Sequence, residues 1–281
     1  MSLDVPSITD FQTYLQRFAF QRKRIGYLYG KFVPTEDAMA DDTDETPPPM
    51  KCLVEAIYEP PQEFDAEAAE GFVLLDDDRE DTVAQIAELL GLTRVGWILG
   101  HEPREMGFQL ASSEIIMAAE YQLEAADGVH ETPFVTIAVS PKADGTVTVE
   151  AFQVSLQCMA MAAEEALEVG ENPKECVVSE SFTAIQEGKE SKTVENNFFL
   201  VVVPIVQHTS EMFVAEFPKL NRLDERVPSH DELKRQLSKS GTAGWTFVDR
   251  LADFNLLIYL SGFLDMNADL PKICASIVDR S

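Results

Sequence analysis

Basic residues are scarce: 22 Lys and Arg stand against 49 Asp and Glu in 281 residues, a net charge of −27. Such a field repels phosphate backbones, which argues against nucleic-acid binding and against anionic membrane surfaces. It favours encounters with basic partners. Histidine is scarcer still. His101, His130, His208 and His230 are the whole supply, and no two are spaced to share a metal on one helix or strand. The sequence has no GxSxG elbow for a nucleophilic serine and no GxGxxG or GxxxxGK[ST] phosphate loop. No apolar run reaches the roughly 18 residues of a membrane helix. The opening Met-Ser-Leu-Asp-Val-Pro has neither a basic nor an apolar segment, so no signal peptide is expected and the expected compartments are cytoplasm and nucleus. Cys52, Cys158, Cys176 and Cys274 contain no CxxC pair, and without a secretory signal they read as reduced core residues.

What is present is an ordinary globular composition, 45% apolar, long enough for one large domain or two modest ones. Phe11, Leu15 and Phe18 recur at helical spacing behind a cap at Thr9 or Asp10. Strands are expected at Ile25–Val33, Cys52–Tyr58 and Arg94–Leu99, with an amphipathic helix at 78–90 closed by Gly91. Ser112 reads as the cap of a further helix that faces Ile115, Ile116 and Ala119 inward. Asp144-Gly145 reads as a hairpin turn between 134–139 and 146–152. A helix over 155–167 ends near Gly170, and Glu171-Asn-Pro173 marks the expected boundary between domains at 8–169 and 174–281. Beyond it, 176–178 and a run at 197–206, apolar on both faces, read as strands, the second as a central one. Helices follow near 229–237, 246–253, 254–264 and 271–278. The fold class is α+β: a mixed sheet with flanking helices, then a helix-rich part with a few strands.

The charge is not evenly spread. From Pro34 to Leu90 there are 18 acidic residues against Lys51 and Arg79. This stretch reads either as solvated loop or as an acidic docking surface, with Asp76, Asp77 and Asp78 at its densest point. Within it, Thr35–Pro49 lacks periodicity, ends in three prolines and is expected to be a mobile loop.

Gly96-Trp-Ile-Leu-Gly-His101 followed by Ser112-Ser-Glu114 resembles the strand-to-helix core of the MPN (JAMM) metalloproteases. That family holds zinc with two histidines at i and i+2 on a strand and an aspartate on a helix, and an upstream glutamate activates the bound water. Carried over position by position, the first histidine falls on Leu99, the second on His101, the aspartate on Ile115, with Glu114 one residue away and expected to face elsewhere on the helix, and the glutamate on Lys23. The resemblance therefore implies a degenerate site with no metal, no catalytic residues and no cofactor.

A closer resemblance is to the nuclear protein localization protein 4 family. It is carried by Gly26-Tyr-Leu-Tyr-Gly30, Val54-Glu-Ala-Ile-Tyr-Glu-Pro-Pro-Gln62, Arg94-Val-Gly-Trp-Ile98, Ser112-Ser-Glu114, Glu150-Ala-Phe-Gln153 and Asn197-Phe-Phe-Leu-Val201, in family order. The resemblance implies an inactive MPN-like domain joined to a C-terminal domain. It implies an adaptor that binds ubiquitin and polyubiquitin chains. Such adaptors work with the ubiquitin-fusion-degradation adaptor and deliver substrates to a AAA+ unfoldase for proteasomal or ER-associated degradation. The family's N-terminal ubiquitin-like region and cysteine-paired zinc fingers, the usual contacts to the unfoldase, have no counterpart in these 281 residues. A groove between the two domains is implied to hold an unfolded segment of ubiquitin. Phe198 and Phe199 read either as pocket aromatics for such a segment or as core aromatics of a central strand. Tyr58-Glu-Pro-Pro-Gln62 reads either as a recognition string or as a strand end and turn. The alternative of another class is a structural MPN scaffold subunit that pairs with a catalytic MPN partner.

Overall fold

The computed structural model describes residues 1–35, 49–68, 70–104, 108–142, 144–186, 189–222, 225–238 and 244–280. Apart from its two end residues, the loop expected at Thr35–Pro49 lies outside them.

The chain opens with β1 (Ser2–Asp4) and α1 (Val5–Arg17), then β2 (Arg24–Pro34), β3 (Met50–Tyr58), the short strands β4 (Gln62–Phe64) and β5 (Phe72–Leu74), α2 (Glu80–Leu89), β6 (Thr93–Gly100) and α3 (Ser112–Ala126). It continues through β7 (Val135–Pro141), β8 (Val147–Val154), α4 (Leu156–Ala163), β9 (Leu167–Val169), β10 (Glu175–Val178), β11 (Ala184–Gln186), β12 (Lys189–Ser191) and β13 (Thr193–Glu195). After a 3-10 turn at Asn196–Phe199 come β14 (Leu200–Val203), β15 (Val206–His208), α5 (His230–Leu237), α6 (Phe247–Leu251), α7 (Phe254–Leu260) and α8 (Leu270–Asp279).

Eight strands form one mixed sheet in the order β14-β8-β7-β6-β2-β3-β1-β15. Laid flat, eight strands would span roughly 34 Å. Yet β14 and β15, the two ends of that order, are separated in sequence only by Pro204 and Ile205, a link of about 11 Å at most. The sheet must therefore curl back on itself. Its inner face packs on α1: Ile8, Phe11 and Leu15 join Leu28, Val54, Ile57, Val95, Ile98 and Val139 in one apolar cluster. The approach is close enough that a Cβ at Gly100 would lie 2.2 Å from Leu15 Cδ1. At Gly30 the β2–β3 register shifts, and a Cβ there would meet the Leu53 carbonyl oxygen at 1.9 Å. The outer face carries two further clusters. One buries Trp97, Leu99, Ile115, Phe152 and Cys158 under α3 and α4. The other buries Tyr29, Tyr58, Val83 and Ile86 under α2, α7 and α8.

The two expected domains share this framework. β9 pairs antiparallel with β10 across the 170–173 segment, β14 extends the large sheet at β8, and β15 extends it at β1. The C-terminal helices α7 and α8 pack on α2 within a single cluster.

Three local expectations change. α1 begins earlier, because Asp4 caps it by accepting the Ser7 N–H at 2.9 Å, which frees Asp10 for another partner. α4 ends at Ala163; Glu164–Ala166 turn away from it, with Glu165 at a φ of +54°, and Leu167 opens β9. The run at 197–206 is not a central strand. It is a 3-10 turn and the edge strand β14, with Val201 and Val202 exposed. Its apolarity on both faces comes from lying at a rim, where Leu200 and Val203 reach different cores. All four cysteines are free and buried, and among the described residues no helix is long and apolar enough to cross a membrane.

Candidate functional site

The residues expected to mark the degenerate metal site separate into two sets. Leu99 and Ile115 point into the outer apolar core and are 1% and 0% exposed. Lys23, His101 and Glu114 come together instead. Glu114 does not face elsewhere on its helix, as its one-residue offset suggested. α3 starts at Ser112 with Ala111 as its cap, so Glu114 sits in the first turn, and its Oε2 reaches back to the Ala111 N–H at 2.8 Å. That bond, not the Ser112 hydroxyl, caps the helix. Glu114 Oε1 then meets the Lys23 ammonium at 2.9 Å and the Arg104 guanidinium. Burial pushes the Glu114 carboxyl up, but Arg104 and then Lys23 outweigh it and hold it at about 2. His101, in the loop just after β6, is buried, and its Nδ1 lies 2.7 Å from the Glu102 carbonyl. Burial lowers its pKa to about 4, with Arg104 adding to the effect, so the imidazole is neutral at physiological pH. Two cations thus hold the carboxylate beside His101, while Leu99 and Ile115 fill the other ligand positions, and the donor set does not fit a zinc ion. Among the described residues no three His, Cys, Asp or Glu side chains are placed to hold a metal.

The Tyr58–Gln62 string does end β3 at Tyr58, and its side chains are also tied into the fold. The Tyr58 hydroxyl donates to Asp77 at 2.7 Å, and the Gln62 side chain bonds both the N–H and the carbonyl of Ile25 at 2.8 and 2.9 Å. Glu59 is buried between two guanidiniums, Arg24 and Arg222, the latter at 2.5 Å. Burial raises the Glu59 pKa, yet Arg24 and Arg222 prevail and hold it at about 2. Arg222 also binds Asp10 at 2.8 Å and Glu225 at 3.1 Å, and lies over the Tyr14 ring. One buried arginine from the C-terminal half therefore ties α1 to the segment just after β3. The segment leading to it is pinned twice more, by Asp4 accepting the Ser210 N–H and Asp253 accepting the Phe217 N–H.

This strap and α5 face α1 across a groove of about 800 Å³. Asp10, Thr13 and Arg17 line one side, Lys219, Arg226 and Arg235 the other. The walls are of mixed charge, and pairs such as Arg17–Glu225 and Arg235–Glu232 lie near solvent, where each contributes little.

Of the expected binding residues, Asp76 and Asp78 are exposed, whereas Asp77 is committed to Tyr58 and to the Arg79 N–H. Phe198 and Phe199 divide: Phe198 is exposed on the 3-10 turn, and Phe199 is core. Sequence reasoning missed Arg222 and Asn196. Asn196 donates to the Leu110 and Pro173 carbonyls, both at 2.8 Å. Neither residue carries a periodicity or motif signal.

Comparison with known proteins now bears on this arrangement. The model of the NPL4 family matches residues 24–199, most of the large sheet. The chain belongs to the NPL4 family. It is 32% identical over 99% of its length to a nuclear protein localization protein 4 homolog of Dictyostelium discoideum, and 31% identical over its whole length to an NPL4-like protein of Oryza sativa subsp. japonica. It is 33% identical over 52% of its length to the nuclear protein localization protein 4 homolog of Homo sapiens. The chain spans 44%, 65% and 25% of these three NPL4 relatives. The names of the Dictyostelium discoideum and Homo sapiens relatives carry a link to nuclear localization.

Proposed function

We propose that this chain is a non-catalytic adaptor that binds ubiquitin and polyubiquitin chains. With the ubiquitin-fusion-degradation adaptor, it helps bring ubiquitinated substrates to a AAA+ unfoldase for proteasomal or ER-associated degradation, in cytoplasm and nucleus. NPL4 membership, with about 30% identity over nearly the whole chain, is the observation that carries this reading. In it, residues 8–169 form the MPN-like part and 174–281 the C-terminal part, and the groove between α1 and α5 receives polypeptide. Cations around Glu114, where hydrolysis would need a metal, support a binding role over a catalytic one.

The net charge of −27 complements a basic-ringed ligand and acts mainly on association rate. Tetra-ubiquitin should bind weakly, and raising salt should weaken binding without abolishing it, because screening beyond about 8 Å removes steering and not apolar contact. The check is a calorimetric titration at low and high salt, repeated with Asp76→Asn/Asp78→Asn. Asp77 is left intact because it holds Tyr58. The double variant should bind more weakly at low salt and match the parent at high salt. No binding at low salt would favour the scaffold alternative.

A further inference from the structure

One end of the large sheet is β14. Natural edge strands are blunted by lysine, proline, bulges or a covering element. Among the described residues β14 has none of these over Leu200–Val203, and no charged residue occurs from Asn196 to Gln207. Phe198, Val201 and Val202 are 61%, 51% and 72% exposed. In a chain that is 25% charged, this is an unusual stretch to leave in water.

The ladder fixes which backbone groups are open. The Ser155 N–H donates to the Phe199 carbonyl at 2.8 Å, and β14 then runs in continuous antiparallel register, Leu200 opposite Val154 and Val203 opposite Ala151. Hydrogen-bonded and non-bonded pairs alternate, so Val201 and Val203 bond to β8. Leu200 and Val202 aim their backbone groups away from it. The Leu200 N–H is used by the Asn197 carbonyl. The N–H and C=O of Val202 face outward, and among the described residues no strand lies on that side.

We infer that the open edge of β14, centred on Val202, is a strand-addition site for an extended apolar segment of a partner polypeptide with basic flanks. Backbone pairing supplies the contact, and side chains at alternate positions lie beside Val202 and Phe198. Charge selects the occupant. Exposed Glu195 and Glu150 bracket the strand, one just before the 3-10 turn and one beyond Ala151 on β8. A second copy of this chain would bring another −27 to the same edge, and Asn196–Gln207 itself carries no charge to offset it. The site is separate from the acidic surface and the groove of the ubiquitin reading and stands or falls independently of them.

The test uses fluorescence polarisation with a labelled peptide, Lys-Lys-Val-Thr-Val-Thr-Val-Lys-Lys, and a second peptide of the same sequence N-methylated at alternate amides. The unmodified peptide should bind saturably. N-methylation, and separately Val202→Pro, should each weaken binding by roughly tenfold, the order of one lost backbone hydrogen bond. Val202→Thr should leave it unchanged. Val202 is exposed, and proline is tolerated on the solvent side of an edge strand. If Val202→Pro nevertheless unfolds, the two peptides against the parent chain still decide. Equal binding of both peptides, no saturation up to about 1 mM, or a dimer that Val202→Pro dissociates would each overturn the assignment. Tetra-ubiquitin binding retained by Val202→Pro, with peptide binding lost, separates this site from the ubiquitin reading.

Discussion

Glu59→Gln will destabilise the chain by about 3–5 kcal/mol, the cost of removing one partner from a buried ionic network. The carboxylate is 3% exposed and is shared by Arg24 and Arg222, themselves 8% and 1% exposed. Glutamine keeps the volume but not the charge, and leaves two guanidiniums facing each other. Arg222→Leu should cost less, since Arg24 still compensates Glu59. The same network makes stability depend on acid. An unfolded glutamate titrates near 4.3, whereas Glu59 in the fold sits at about 2. The folded pKa is depressed, so the stabilisation is present above roughly pH 4.3 and is lost as pH falls from there towards about 2. Urea unfolding followed at pH 7 and pH 3 should show the parent losing stability on acidification, and Glu59→Gln losing less of it. Equal losses would place the acid sensitivity elsewhere.

Glu114→Gln is the second large effect, about 2–4 kcal/mol. It is smaller because Lys23 and Arg104 side chains keep 19% and 11% exposure, so water relieves part of their unpaired charge. The amide oxygen can still accept the Ala111 N–H, so the helix cap survives and the loss reports the ion pairs. Lys23→Met/Glu114→Gln should recover part of the loss relative to Glu114→Gln alone, because one of the stranded cations is gone. A double-mutant cycle in thermal or urea melts reads this directly. Additive losses would mean that Lys23 and Glu114 do not interact.

Much of the fold was legible because local signals agreed with tertiary ones. β2, β3 and β6 are dense in β-branched and aromatic residues, and the Asp144-Gly145 turn does join β7 and β8. α2 ends at Gly91, whose φ of +68° suits glycine. The sequence misled where two environments share a composition. A run apolar on both faces is the signature of a central strand, but β14 has the same composition at a rim. Glu114 was misplaced because its direction depends on where α3 starts, and a one-residue change in the cap rotates the first turn by about 100°. Arg222 was invisible because its partners Asp10 and Glu59 lie 212 and 163 residues away. The specificity of the Tyr58–Gln62 string was visible, but not its cause: three of its five side chains, Tyr58, Glu59 and Gln62, make buried tertiary contacts.

The measurement that tests the central claim most directly incubates the purified chain with tetra-ubiquitin in zinc-supplemented buffer, with bound fraction and chain length read from the same sample. An adaptor whose Glu114 is already held by Lys23 and Arg104 should retain tetra-ubiquitin and return it uncut. Cleavage to shorter ubiquitin chains, with about one zinc per protein, would contradict the account, and so would recovery of all tetra-ubiquitin in the unbound fraction.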